Sequence, residues 1–264
     1  MNSIIIGRYI PTGSFIHKMD PRGKMIIAIS FLIIVFFANN WQSYLVLGAF
    51  VLLGVFLSKI PINHFIKGIA PLIWIILFTV ALQIFFTTGG TPLFSIGPIT
   101  IYQEGVINAV LIFFRFVLII TMSTLLTLST QPLEITDALE FLLRPFSYIG
   151  VPVHSIALML SIALRFVPTL LDEVTKIMNA QRARGMEFSE GSLLERMRKI
   201  VPVLIPLFVS SFNRAIELAT AMEARGYRDG EGRTKYRKLE WRGYDTLAIG
   251  VFLLMCVAVF MVRV

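Results

Sequence analysis

Charged residues are scarce in this sequence, and cysteine and histidine are rare. Asp, Glu, Lys and Arg make up 15% of the 264 residues, compared with roughly 25% in a typical soluble domain. The single cysteine, Cys256, lies in an apolar run, which excludes a disulfide within the chain. The three histidines, His17, His64 and His154, are too far apart to show metal-ligand spacing. We therefore expect no metal site.

The motifs of common catalytic sites are also missing. The sequence has no G-x-x-x-x-G-K-[ST] motif, so this chain has no P-loop of its own. It has no H-E-x-x-H or G-x-S-x-G motif, and its apolar segments contain no paired carboxylates and no histidine cluster. We expect a chain that is not an enzyme and that binds no cofactor itself.

Apolar residues dominate the composition instead. They make up 56% of the chain, with 22 phenylalanines, and the mean hydropathy is +0.78. Phenylalanine suits lipid because its ring buries a large area without a polar atom to satisfy. The net charge of +8 is typical of a membrane protein whose cytoplasmic loops collect Lys and Arg. The composition thus predicts a lipid bilayer, and no nucleic acid, as partner.

Five apolar segments have the character of transmembrane helices. Residues Met25–Ser58 carry no charge, and the polar stretch Asn39–Ser43 divides them into the two spans of a helical hairpin. Three further spans are predicted at Gly68–Thr88, Gly105–Thr130 and Thr246–Val262. The predicted fold class is an all-α integral membrane protein with about five transmembrane helices. Long cytoplasmic or interfacial helices are inserted between the fourth and fifth spans.

Basic residues predict the orientation of the chain in the membrane. By the positive-inside rule, the basic N-terminus, the loop with Lys59, His64 and Lys67, and the long charged segment lie in the cytoplasm. The turn at Trp41, the Gly- and Pro-rich loop Thr87–Gly105 and the C-terminus then lie outside.

The distribution of charge divides the chain into three parts. Residues 131–243 carry 29 of the 40 charged side chains and form the predicted cytoplasmic coupling segment. Residues 1–130 form an N-terminal membrane part with four spans, and residues 244–264 form a C-terminal transmembrane helix.

Two long helices are predicted within the charged segment, from Val153 to about Arg184 and from Ser192 to about Arg225. Each begins apolar and becomes charged, so each can start against lipid or protein and finish in water. Prolines are expected to kink or break both helices, and these are Pro168, Pro202 and Pro206.

One basic signature ends both long helices. The sequence Ala-x-x-Ala-Arg-Gly occurs at Ala180–Gly185 and again at Ala221–Gly226. A helix end alone explains each copy, because glycine suits the left-handed position after a helix and a cation favours the helix dipole. The repetition favours docking instead: two small alanines leave Arg184 and Arg225 clear to enter an acidic groove on a partner.

Three small residues recur every four positions in the second long helix. Ser211, Ala215 and Ala219 form a row that allows two helix backbones to approach closely. We expect the two long helices to cross there, although the helix propensity of alanine also accounts for part of the pattern.

Arg115 lies about ten residues into the fourth predicted span. An arginine at that depth is costly and faces protein or water. It contacts a partner protein, or it pairs within the chain with a carbonyl group or a polar side chain such as Gln83.

The stretch "RFVPTLLDE" places Arg165 before Pro168, with Asp172 and Glu173 about two turns later. The two acids and Arg165 line one helix face in one interpretation. In the other, they form an ordinary solvated charged surface.

In four places the sequence resembles the transmembrane T component of energy-coupling factor (ECF) transporters, the family that includes the cobalt-transport CbiQ proteins. "HKMDPRGK", with Asp20, Pro21 and Arg22, resembles the family's N-terminal Asp-Pro-Arg-x-Lys block. "RFVPTLLDE" resembles its Arg-aromatic-x-Pro…Glu block. The "ARG" triplets, Ala183–Gly185 and Ala224–Gly226, resemble its paired coupling motifs. The order and spacing fit over nearly the whole chain.

The resemblance implies a scaffold in a prokaryotic plasma membrane. Such a chain joins two cytoplasmic ABC-type ATPases, which bind ATP and magnesium, to one membrane S component that captures a vitamin or metal ion. Arg184 and Arg225 would each enter a groove on one ATPase. A self-contained carrier or channel, with Arg115 and Gln83 near the bilayer midplane, is the alternative, and a membrane enzyme is disfavoured by the missing catalytic groups.

Overall fold

The computed structural model describes residues 9–96, 99–227 and 239–263, and these residues are mainly helical. The α-helices that it describes are α1 (Phe15–Lys18), α2 (Pro21–Ile34), α3 (Trp41–Ser58), α4 (Ile62–Ile69), α5 (Ile73–Phe86), α6 (Gln103–Ser129), α7 (Pro132–Leu143), α8 (Val153–Ala183), α9 (Leu193–Ala224) and α10 (Gly243–Val262). Short 3₁₀ turns follow α2, α4 and α7, at Val35–Phe37, Ala70–Leu72 and Arg144–Ile149. The predicted all-α membrane fold is confirmed.

The first compact unit comprises Met1–Leu142 and Leu239–Val264. Helix α6 lies at its centre and contacts α2, α3, α4 and α5, while α10 packs on α2 and α3. The core of the unit is apolar, and Phe31 is fully buried in it. Phe50 stacks on Phe31 at 6.1 Å between ring centroids and lies 5.8 Å from Phe252 of α10. The first and last helices of the bundle therefore share one core.

Large apolar side chains also cover the outside of this unit. Phe56, Trp74 and Phe86 are each more than three-quarters exposed. Water would make such a surface unstable, whereas a lipid bilayer solvates it. The exposed rings support the membrane location predicted from composition.

A β-hairpin occupies part of the segment Thr87–Gly105, which the sequence had indicated as a loop. Strand β1 (Pro92–Ile96) pairs antiparallel with β2 (Ile99–Tyr102), with Ile96 opposite Ile99 and Pro92 opposite Tyr102. The register shifts between Pro92 and Phe94. Gly97 and Pro98, which the loop prediction includes, lie outside the described residues. The short strands escaped prediction because Gly and Pro residues flank them, which is the pattern of a loop.

The number of candidate spans differs from the predicted five. Six helices in the described parts of the chain are long and apolar enough to cross a membrane: Trp41–Ser58, Ile62–Phe86, Gln103–Ser129, Val153–Ala183, Leu193–Ala224 and Gly243–Val262. The first predicted span is absent from this set because α2 has only 14 residues. The two additional candidates are α8 and α9, which meet a criterion of length and composition. The apolar stretch that qualifies them lies in the first half of α8 but in the middle of α9, whose first two turns are charged.

The second compact unit comprises Leu143–Lys238 and is built from α8 and α9. Residues 228–238, the end of the predicted coupling segment, lie outside the described residues. Both helices run unbroken through their prolines, so the expected breaks do not occur. Each proline removes only one N–H donor, and the neighbouring i→i−4 hydrogen bonds continue the helix. Ser192 begins α9 with a capping box to Glu195.

Candidate functional site

The first copy of the repeated signature ends α8 in a Schellman motif. Gly185 has φ +85°, the left-handed conformation that glycine adopts without strain. Its amide donates to the carbonyl of Arg182 at 2.9 Å, and the amide of Met186 donates to that of Gln181 at 3.0 Å. These bonds satisfy two carbonyls that a helix end leaves unpaired. Arg184 is the C-cap residue, at φ −85° and ψ 8°.

The second copy ends α9 in the same way. Gly226 has φ +71°, and its amide donates to the carbonyl of Glu223 at 2.9 Å. The amide of Tyr227 donates to the carbonyl of Met222, also at 2.9 Å. Arg225 is the C-cap residue, at φ −86° and ψ 7°. The doubled signature therefore encodes one backbone geometry twice.

We call Ala183–Gly185 and Ala224–Gly226 the two arginine tips. Both arginines are exposed. Within the part of the chain that the structure describes, neither guanidinium group has a hydrogen bond, an ion pair or a stacked ring. The Schellman motif accounts for the glycine of each tip, but it requires no arginine before that glycine. The helix dipole gives each cation a weak local role, and both guanidinium groups are left free for a contact outside this chain.

The loop behind the first tip is held in place by basic side chains of α9. The Lys199 ammonium group donates to the carbonyls of Glu187 at 2.7 Å and Glu190 at 2.9 Å. The Arg196 guanidinium donates to the carbonyl of Gly191 at 3.1 Å. This brace could not be predicted from the sequence. Every residue has a backbone carbonyl, so a lysine that binds carbonyls has no recognisable partner residue.

The contact between α8 and α9 includes an ion pair. Arg214 donates to the Glu173 carboxylate at 2.7 Å, with both side chains about 30% exposed. The more buried side chains of α9 recur every three or four residues and include Lys199, Val203, Leu207, Arg214, Leu218 and Met222. This stripe faces α8.

The predicted small-residue row lies beside this stripe. Ser211 is partly buried, and its hydroxyl donates to the Leu207 carbonyl at 2.7 Å. Ala215 and Ala219 are exposed, so the expected crossing at these alanines is not where α8 and α9 meet. A row spaced by four residues rotates by about 40° per step on a 3.6-residue helix, which carries it off the contact.

The residues of "RFVPTLLDE" separate on the surface of α8. Glu173 turns toward α9 and pairs with Arg214, whereas Arg165, Pro168 and Asp172 are exposed. Among the described residues, Arg165 has no partner. The predicted common face thus holds for Arg165 and Asp172, seven residues apart, but not for Glu173.

The block "HKMDPRGK" joins the first and last helices of the membrane unit. Asp20 is the N-cap of α2, with Pro21 at the first helical position, and accepts the Arg22 amide at 2.8 Å. The backbone amide of Asp20 donates at 2.8 Å to the carboxylate of Asp245 in the first turn of α10. The other Asp245 oxygen accepts the Arg242 amide at 2.8 Å. One carboxylate therefore caps α10 and anchors α2.

We call this contact the Asp20–Asp245 junction. Both carboxylates are buried. Arg22 is close to Asp20, with Nη2 at 3.0 Å from Oδ2, and it also donates to the Leu239 carbonyl at 2.9 Å. Its guanidinium lies 4.9 Å from the Phe141 ring centroid. Asp20, Pro21 and Arg22 are thus engaged within the chain, and Asp245 is a residue that sequence reasoning missed.

Lys24 extends the junction to the end of α6. Its buried ammonium group donates to the carbonyls of Ser129 at 3.0 Å and His17 at 3.3 Å. The His17 ring accepts or donates at Nδ1 with Ser14 Oγ, 2.7 Å away. Burial, followed by the charge of Lys24, lowers the pKa of His17 from its usual value. The imidazole is therefore neutral at pH 7.

Arg115 lies half-buried in α6 and binds the turn between α2 and α3. Its Nε donates to the Tyr44 hydroxyl at 2.9 Å, and its Nη2 donates to the Ala38 carbonyl at 3.2 Å. The Phe36 ring centroid lies 5.5 Å from the guanidinium carbon. The structure therefore supports the interpretation in which Arg115 pairs within the chain with a carbonyl group and a polar side chain. That side chain belongs to Tyr44 and not to Gln83.

Among the residues that the structure describes, no group of three or more His, Cys, Asp or Glu side chains is placed to hold a metal ion.

Comparison with known proteins gives consistent relatives along the whole chain. The family model CbiQ, described as cobalt transport protein, matches residues 12–236. The chain is 54% identical over 257 residues to the energy-coupling factor transporter transmembrane protein EcfT of Lactococcus lactis subsp. cremoris, covering 97% of each chain. It is 56% identical to the protein of that name from Lacticaseibacillus paracasei, again covering 97% of each. With the Bacillus subtilis EcfT it shares 51% over 263 residues, which is 100% of this chain and 99% of that one.

Asp245→Ala should destabilise the membrane unit by about 2–5 kcal/mol, because the shielded amides of Asp20 and Arg242 each lose their acceptor. Asp245→Asn should cost less, since its amide oxygen still accepts one bond. The measurement is the apparent melting temperature of the purified protein in detergent. Asp172→Ala, which removes an exposed acid of α8, is the control and should shift stability by no more than about 0.5 kcal/mol. Equal melting temperatures for the two alanine variants would refute the anchoring role.

Tyr44→Phe and Arg115→Leu should be energetically coupled. The first removes the hydroxyl that accepts the Arg115 Nε bond, and the second removes the donor. A double-mutant cycle on thermal stability should give a coupling of about 0.5–3 kcal/mol, as for residues in direct contact. Additive effects would show that the hydrogen bond contributes nothing to the stability of the bundle.

Proposed function

Because this chain belongs to the CbiQ family of cobalt transport proteins, we propose that it is the coupling scaffold of an energy-coupling factor transporter. It is a multi-pass bacterial membrane protein of the transmembrane component class. In the proposed complex it joins two cytoplasmic ABC-type ATPases to one membrane S component, which captures a vitamin or a metal ion. ATP and magnesium bind the ATPases, and this chain carries no catalytic group.

The pair of arginine tips is the observation that carries the proposal. Two helix ends with the same Schellman geometry each present an exposed arginine that has no partner among the described residues. A planar guanidinium group on a bare helix end suits a carboxylate-lined groove, because it donates two parallel hydrogen bonds to one acid. Two equal tips suit two equivalent partners, so Arg184 docks one ATPase and Arg225 docks the other.

The helices behind the tips supply the coupling. α8 and α9 are continuous over 31 and 32 residues, so a displacement of either tip reaches the apolar half of its helix without crossing a loop. The Arg214–Glu173 ion pair, eleven residues before each tip, restrains relative sliding of the two helices, and the Lys199 brace holds the loop after the first tip. Closure of the ATPases thereby moves the surface on which the S component sits.

The proposed orientation follows from where the tips must be. ATPases are cytoplasmic, so the ends of α8 and α9, the N-terminus and the segment from Lys59 at the end of α3 to Lys67 in α4 lie in the cytoplasm. The C-terminus, after α10, lies outside.

A self-contained carrier is the less favoured function. It would need polar groups free to bind a solute near the middle of the bilayer. Arg115, the strongest candidate, is instead engaged by Tyr44 and the Ala38 carbonyl, which supports a structural role for this cation. Purification in mild detergent separates the two functions: a scaffold retains two ATPase polypeptides, whereas a carrier transports alone in liposomes.

Single Arg184→Ala and Arg225→Ala substitutions should each weaken ATPase binding, and the double substitution should nearly abolish it. Deleting one member of a desolvated charge pair typically costs about 2–5 kcal/mol, which is roughly a 30- to several-thousand-fold loss of affinity. Arg→Glu should be worse, because like charges then face each other. The measurement is recovery of the ATPases by pull-down with each variant.

Arg182→Ala is the matched control for the tips. Arg182 lies two residues before Arg184, donates only to Asn179 at 3.3 Å and stacks near Phe188, so its loss should leave assembly intact. If the arginines served the helix dipole alone, each substitution would cost a few tenths of a kcal/mol and the complex would survive. Full recovery of both ATPases with the Arg184/Arg225 double alanine variant would therefore end the docking proposal.

A further inference from the structure

A groove of about 710 Å³ lies between α4 and the last third of α6. This volume is in the range of small-molecule sites in proteins. Its lining combines two cationic or ionisable groups, His64 and Lys67, with the hydroxyls of Ser123 and Thr124 and the apolar side chains of Ile119 and Ile120. We call it the α4–α6 groove. Neither the arginine tips nor the Asp20–Asp245 junction uses it.

The polar groups of the groove have spare hydrogen-bonding capacity. The His64 ring contacts the Pro61 carbonyl through Nδ1 at 3.3 Å, which leaves Nε2 available. Among the described residues, Lys67 has no ion pair, and the Ser123 and Thr124 hydroxyls have no hydrogen-bond partner. No acidic side chain is among the described residues that line the groove. The site therefore favours an anion with several acceptor oxygens.

The apolar part of the site indicates an anion that carries a hydrocarbon chain. Helix α4 is amphipathic: Phe65 is buried in the bundle, while Ile62 and Ile66 are 64% and 57% exposed. An exposed apolar face beside a lysine is the pattern of a helix at the membrane–water interface. Ile119 and Ile120 continue the apolar wall along α6, so a bound headgroup has space for its chain beside it.

The two helices approach each other closely at the floor of the groove. A Cβ atom built on Gly68 would lie 2.8 Å from Thr124 Oγ1, so a larger residue at this position would displace the Thr124 side chain. The Thr124 hydroxyl is consequently brought close to the α4 side chains His64 and Lys67 by a glycine in that helix.

We propose that the α4–α6 groove binds an anionic phospholipid. Its phosphate group is held by Lys67 and His64 with the hydroxyls of Ser123 and Thr124, and its acyl chains lie along Ile119 and Ile120. The proposal commits to a lipid because a free phosphate ion would leave the apolar wall unused.

The test is native mass spectrometry of the purified protein, equilibrated with phosphatidylglycerol or with phosphatidylcholine in mixed detergent micelles. The wild-type protein should retain phosphatidylglycerol in preference to phosphatidylcholine, with one tightly held molecule. Lys67→Gln should lower that retention about fivefold, the usual contribution of one cation near an anionic lipid surface. His64→Gln with Lys67→Gln should lower it further, and Ser123→Ala with Thr124→Val should lower it with no change of charge.

Lys59→Gln is the matched control, because Lys59 is the C-cap residue of α3, a cation eight residues before Lys67 that does not line the groove. It should leave the retention unchanged. Millimolar inorganic phosphate is a second arm and should not displace the lipid. Three results would overturn the proposal: no preference for phosphatidylglycerol in the wild-type protein, equal losses for Lys59→Gln and Lys67→Gln, or displacement by phosphate alone. Because all the altered side chains of α4 are surface groups, unchanged melting temperatures confirm that each variant is folded.

Discussion

The membrane unit depends on a buried carboxylate that serves two helices at once. Asp245 accepts the amide of Arg242 in its own helix and the amide of Asp20 at the start of α2. A buried carboxylate is tolerated only when hydrogen bonds and opposite charges replace its water, and here backbone amides and the nearby cations Arg22 and Lys24 supply that replacement. This contact fixes how far α2 and α10 are shifted along each other. It thereby sets which side chains meet in the apolar core, where Phe50 contacts both Phe31 and Phe252.

The arginine tips depend on a different constraint, which is local. A helix can end in this way wherever glycine takes the left-handed conformation after the C-cap residue, so six residues of sequence suffice to specify a tip. This is why the repeat could be interpreted from sequence: the bounds of α8 and α9 agree with the prediction to within one residue, and Gly185 and Gly226 both have positive φ. In the proposed complex the residues that engage the arginines belong to another molecule, so the sequence of this chain does not contain them.

Contacts between residues that are far apart in the sequence were predicted less accurately, for physical reasons. Of the two interpretations of Arg115, the structure supports pairing within the chain, but Tyr44 lies 71 residues away in sequence and no periodicity connects the two. Asp245 resembles an ordinary acid in a first helical turn, and only the folded chain brings it to Asp20.

The row Ser211, Ala215 and Ala219 was expected at the contact of the long helices, yet the alanines are exposed, because spacing alone does not say which helix face meets a neighbour. The hairpin of β1 and β2 was missed because short strands without clear alternation resemble loops.

The Asp20–Asp245 junction also determines how late in synthesis the membrane unit can finish assembling. Its two residues are 225 positions apart, so α2 leaves the ribosome and enters the membrane long before its partner α10 exists. During that interval the amide of Asp20 lacks its acceptor, and Phe50, which stacks on Phe31 of α2, lacks the ring of Phe252. Closing so long a loop is slow in folding terms, and here it cannot begin until translation has passed the first turn of α10. The packing of α2 against α10 is therefore completed only after α10 has been synthesised.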